Sequence, residues 1–132
     1  MMKKPALTAL TMVIAVGSIA LLIVVFVVVA GVDLLQQGLY DTEYSETFLG
    51  ADACSEKALS NLNTNHSYAG ELALIIGDIS CDIVVVVVDS DTRTIQVTAT
   101  QGLVYVSRLE ISVSNLNSPP ITVTNWEEVS SF

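Results

Sequence analysis

Residues 6–32 read ALTALTMVIAVGSIALLIVVFVVVAGV, with no charged side chain anywhere in the run. At ~1.5 Å rise per residue, these roughly 27 residues reach ~40 Å as a helix, more than the ~30 Å hydrocarbon core of a bilayer. In lipid every backbone amide must be bonded internally, and a lone segment does that only as a helix. The β-branched residues from Val24 to Val29 would weaken a helix in water, a preference that lipid overrides. Residues 1–32 are therefore expected to form a cytoplasmic tip and a transmembrane anchor. Membrane lipid is the first expected partner.

Lys3 and Lys4 precede the run, and all fourteen acidic residues lie at or after Asp33. Positive flanks stay in the cytoplasm, so Lys3 and Lys4 orient the chain with its C-terminal part outside. Val28 and Ala30 also suit the small-residue positions before a signal-peptide cut at Gly31. The run is well beyond the ~7–15 apolar residues of a signal core, which favours an uncleaved anchor.

Working outward, residues 33–132 make one small extracytoplasmic domain with a single core. Lys57, Arg93 and Arg108 stand against the fourteen carboxylates there, a net of −11. Nucleic acid is excluded as a partner, because its phosphates need clustered cations.

From residue 33 to 63 the spacing is helical. Leu35 and Leu39 stand four apart, and Tyr44, Phe48, Ala51, Ser55, Ala58 and Leu62 follow at steps of four or three, on one stripe. Asp33, Asp41, Glu43, Glu46, Asp52, Glu56 and Lys57 fall opposite. Phe48, Leu59 and Leu62 are expected to pack this amphipathic helix on its partner layer. Gly31, Gly38 and Gly50 each cost ~1 kcal/mol against alanine, so the helix is expected to bend or fray near them.

Residues 68–129 read as strands: 68–76, 79–88, 94–100, 103–114 and 121–129, with short turns between them. Short connections imply an antiparallel meander. The valines from Val84 to Val88 read as an internal strand covered on both faces. Trp126, the only tryptophan, is expected in the core. The fold class is thus α+β: a long N-terminal helix, transmembrane then amphipathic, packed on an antiparallel β-sheet. Cys54 falls on the helix and Cys81 on the second strand, and paired cysteines in a small exported domain usually form a disulfide.

No catalytic constellation is visible and no cofactor is called for. His66 is the only histidine and sits in a polar loop, where a solvated side chain is the simpler account. Asp89-Ser90-Asp91 lacks the glycine and distal glutamate of an EF-hand loop, so a hairpin turn is favoured over a metal site. Asn65-His66-Ser67 matches a glycosylation acceptor, a short and common pattern.

The order of basic start, apolar helix, amphipathic helix and antiparallel sheet resembles that of type IV pilins. The stretch from Ala51 to Leu62, ADACSEKALSNL, resembles the segment just past the anchor in PilX-type minor pilins. The stretch from Ile121 to Val129, ITVTNWEEV, is similar to the closing strand of small pilin-like proteins that carry two cysteines. The resemblance implies a pilin-like fold and a structural subunit, a minor pilin or pseudopilin, of a type IV pilus or related secretion filament; with no catalytic constellation, no enzyme is expected. Other pilin-like subunits and assembly machinery would be its partners, with Gly17, Ser18 and Ala20 packing the helix against neighbours. Pro5 and Leu10 stand where the family has glycine and glutamate. The alternative is a single-pass, membrane-anchored binding module without a filament role.

Overall fold

The computed structural model describes residues 4–132, Lys4 by its backbone alone. Lys3 and the side chain of Lys4, the expected orientation signal, lie outside the described residues. One helix, α1 (Lys4–Thr64), is followed by five strands: β1 (Gly70–Ile76), β2 (Ile79–Val87), β3 (Arg93–Gln101), β4 (Tyr105–Ser114) and β5 (Thr122–Glu128). The chain divides into a unit ending at Tyr40 and a second one from Asp41 to Phe132, a boundary further along than Val32.

In the first unit the large apolar side chains from Leu7 to Leu39 are exposed. The helix is continuous through Gly31, Gly38 and Gly50, so it does not fray at these glycines as expected. A single glycine lowers helix propensity by ~1 kcal/mol, which neighbouring turns and tertiary packing readily outweigh.

In the second unit the strands form one antiparallel sheet in the order β1-β2-β3-β4-β5, the meander expected from the short turns. The β1–β2 hairpin turns on Gly77, whose φ of 60° lies in the left-handed region that favours glycine. Side chains alternate along β3 and β4, so Ile95, Val97 and Ala99 lie on one face with Leu109, Ile111 and Val113. The helix from Asp41 onward covers that face through Thr47, Ala51, Cys54, Ser55, Ala58 and Leu62, all fully buried. Most of these are small, which lets the helix backbone sit close to the sheet. The approach is tightest at Gly50, where an added Cβ would lie 2.7 Å from Ile79 Cδ1 and 2.9 Å from its Cγ2.

Two expectations about burial are corrected. The valine run is internal, but only Val85 of it is buried; Val84 is half-buried, and Val86, Val87 and Val88 are exposed. Ile83 and Val85 point to the helix, whereas Val86 is exposed on the other side, because no second layer among the described residues covers the sheet there. Trp126 is not a core residue: it is 39% exposed. It shares the inner face with Ile111, its register partner, but β5 is an edge strand and is exposed along its whole length.

Candidate membrane anchor and interaction surfaces

The apolar half of α1 has the length and composition to cross a membrane, and its most apolar stretch is exposed throughout. Hydroxyls in such a segment must be bonded or they cost free energy in lipid. The helix satisfies them itself: Thr8 donates to the Pro5 carbonyl at 3.3 Å, Thr11 to Thr8 at 2.9 Å and Ser18 to Ala15 at 2.8 Å. Gly17, Ser18 and Ala20 are exposed, and nothing lies within 4 Å of a Cβ placed on Gly17. Met12, Val13, Val16 and Gly17 line a shallow apolar notch at this point.

The acidic domain is tied together at three places. Cys54 on α1 and Cys81 on β2 form a disulfide, with Cα atoms 6.5 Å apart, both fully buried. Phe48 and Leu59 pack half-buried against the core, and Leu62 lies inside it. The expected stripe is therefore met at Ala51, Ser55, Ala58 and Leu62, with Thr47 and Cys54 completing it and Tyr44 and Phe48 half-buried, whereas Leu35 and Leu39, expected on the same stripe, are exposed.

At the second place, Tyr44 on the helix and Ser107 on β4 both donate hydrogen bonds to the Glu128 carboxylate on β5, Ser107 at 3.1 Å. A shallow apolar groove opens beside them, lined by Tyr44, Ser45, Phe48, Leu49 and Glu128. Close by, Thr47 donates to the side-chain oxygen of Gln101 at 2.9 Å.

The third place is the β2–β3 turn. Asp91 N–H donates to Asp89 Oδ1 at 2.7 Å, and this bond is the main reason the Asp89 carboxyl is held below its ordinary value of 3.8. Asn117, from the β4–β5 loop, donates its N–H to Asp91 Oδ1 at 2.8 Å and its Nδ2 to the Ser90 carbonyl at 3.1 Å. The two acidic side chains thus brace a turn, as the hairpin account expects. Arg93 lies beneath it, only 8% exposed, and donates through Nη1 to the carbonyls of Asp89 at 2.6 Å and Thr92 at 3.0 Å. Its Nε has no hydrogen-bond partner.

Sequence reasoning missed Arg93 and Glu128 as organising residues. The signal for Arg93 was its position two before Ile95, which puts it on the inner face. His66 sits partly exposed in the loop after α1. Among the described residues no three His, Cys, Asp or Glu side chains are grouped to hold a metal ion. In comparisons with known proteins, the chain matches no family model, no curated protein and no solved structure.

Proposed function

We propose that this chain is a structural subunit of a type IV pilus or related secretion filament, a minor pilin or pseudopilin, anchored by its N-terminal helix with the acidic domain outside. The observation that carries the proposal is α1 itself. One uninterrupted helix runs from Lys4 to Thr64, its apolar part exposed and its later part buried by a disulfide-braced sheet. A helix with that apolar exposure is stored in lipid, and is soluble in a filament only when buried among other apolar helices. The mechanism is packing: lipid contacts around Gly17, Ser18 and Ala20 are exchanged for helix contacts, while the acidic sheet sets the filament surface. No catalytic step is assigned.

Intact mass and N-terminal sequencing of the chain recovered from its native envelope, with co-purification of assembly components, tests this. A start at Ala6 together with filament components supports it. A start at Met1 with no such component refutes it and leaves the anchored binding module. Pro5 and Leu10, and the lack of any acidic residue before Asp33, are what favour that second account. A start at Gly31 makes the domain a secreted one and removes the anchor from both.

A further inference from the structure

We propose that the open edge of β1 is a strand-addition site for an extended, basic segment of another polypeptide, with apolar side chains along one face and lysine or arginine along the other. The inference does not depend on the filament proposal.

The two edges of the sheet are built differently. β5 carries a bulge opposite Ser112 and Val113, and it ends in Glu127 and Glu128. Bulges and charges are the usual devices that stop an edge from pairing. β1, with the sequence GELALII, has no proline, no lysine and an unshifted register with β2 along all seven residues. A two-residue hairpin loop closes on a hydrogen-bonded pair, here Ile76 with Ile79, and bonded pairs then alternate through Leu74–Cys81 and Leu72–Ile83. Glu71, Ala73 and Ile75 therefore turn their N–H and C=O groups to the open side, where no other element of the domain pairs with them.

The side chains define what would fit. On the inner face Leu72 and Leu74 are half-buried against the core, so an added strand would extend an apolar row. On the outer face Ile75 is 76% exposed, and Ala73 lies in register with Asp82, next to Glu71. Directly opposed and diagonal neighbours on a sheet face lie within reach of long side chains. A lysine set against Ala73 would be the diagonal neighbour of Glu71, with its stem along Ile75, and its ammonium would extend over the small Ala73 side chain towards Asp82, two strand spacings (~9.5 Å) away on β2. All the acidic residues except Asp33 lie from Asp41 onward, against only Lys57, Arg93 and Arg108. That field attracts a basic strand and repels a second copy of the same domain.

The test uses the full chain in nanodiscs of zwitterionic lipid and two seven-residue peptides, one alternating leucine with lysine and one alternating leucine with glutamate. Hydrogen exchange is followed residue by residue by NMR. The lysine peptide is expected to slow exchange at Glu71, Ala73 and Ile75 by ~10-fold or more, with β3 unchanged, and the glutamate peptide is not. Ala73→Pro removes one outward N–H without touching a β1–β2 bond, and is expected to abolish the protection. If that variant does not fold, Ile75→Lys decides: it should weaken the lysine peptide ~10-fold and favour the glutamate peptide. Absence of protection in β1, or equal effects of the two peptides, overturns the proposal. Protection that grows with protein concentration without peptide also overturns it, by assigning the edge to self-association.

Discussion

Gly50→Ala should destabilise the domain, although alanine is the better helix former. In an unconstrained helix the change is worth ~1 kcal/mol in favour of alanine. Here the new methyl would sit 2.7 Å from Ile79 Cδ1 and 2.9 Å from Cγ2. Ordinary carbon contacts lie at ~3.5–4.0 Å, so helix and strand must separate by close to ~1 Å or Ile79 must leave its rotamer. Overpacking of this kind costs ~1–3 kcal/mol. The net expectation is a loss of ~0–2 kcal/mol, obtained by setting that cost against the propensity gain. Removing the obstacle should reverse the sign. Ile79→Ala deletes both clashing methyls and leaves only a contact with Cβ at 3.4 Å. In that background Gly50→Ala should stabilise by ~1 kcal/mol, a coupling of ~1–3 kcal/mol between the two sites. Urea unfolding of the four chains in zwitterionic micelles, followed by circular dichroism, measures it. If Gly50→Ala stabilises by the same amount with Ile79 present, the close approach is not a constraint and the reasoning fails.

Three further outcomes follow from the same architecture. Replacing Cys54 and Cys81 together by alanine opens a loop with a sequence separation of 27. Chain entropy puts the loss at ~3–4 kcal/mol, a fall in melting temperature of ~15–25 °C by calorimetry, and a fall below ~5 °C would refute that weight. Asp89 has a folded pKa below its unfolded value, so its contribution is complete above pH 3.8 and is lost as pH falls through the lower folded value. Asp89→Asn should flatten that acid limb of a stability–pH profile, and an unchanged limb would count against the turn. Trp126→Ala should cost less than Ile111→Ala, because the ring is 39% exposed whereas Ile111 is fully buried. The expected costs in denaturant titrations are ~1–2 and ~2–4 kcal/mol, and equal losses would place the ring in the core.

Most of the fold was legible because its signals are periodic. The uncharged run, the stripe through Ala51, Ser55, Ala58 and Leu62, and the alternation of Ile95, Val97 and Ala99 each have one simple geometric solution. The pairing of Cys54 with Cys81 followed once one cysteine was placed on the helix and the other on a strand. What escaped depends on layers, not on periods. A valine run has the same composition whether one face or both are covered, and only the missing second layer leaves Val86 exposed. Trp126 points to the inner face, as a core residue would, but it sits on an edge strand whose side chains are exposed along its whole length. Gly50 looks like a helix breaker in sequence, yet it marks where the helix backbone meets Ile79. Arg93 reads as a solvated charge until its alternation with Ile95 is followed onto the buried face. Legibility of the candidate surfaces was lower still, since the open edge of β1 is a property of strand order and of what does not pair with it.

The composition of α1 also separates two requirements that one helix must meet. From Ala6 to Val32 its side chains carry no charge and are apolar around the whole circumference apart from a few hydroxyls, which bond back to their own backbone. After Asp41 the apolar demand falls on one stripe, and that stripe is filled mainly by alanine, serine, threonine and cysteine. Small side chains bury little area each, at ~25 cal/mol per Å², so helix–sheet packing here cannot rest on area alone. It rests instead on close approach at Gly50, on Leu62 at the far end, and on the disulfide in between. The large aliphatic residues of the core come from the strands: Ile83, Ile95, Val97, Leu109, Ile111 and Val113. A helix rich in leucine on that stripe would hold the sheet further away and would not allow the Cys54–Cys81 bond. The small-residue stripe and the crosslink are thus one device, in which covalent closure compensates for the modest apolar area of the helix.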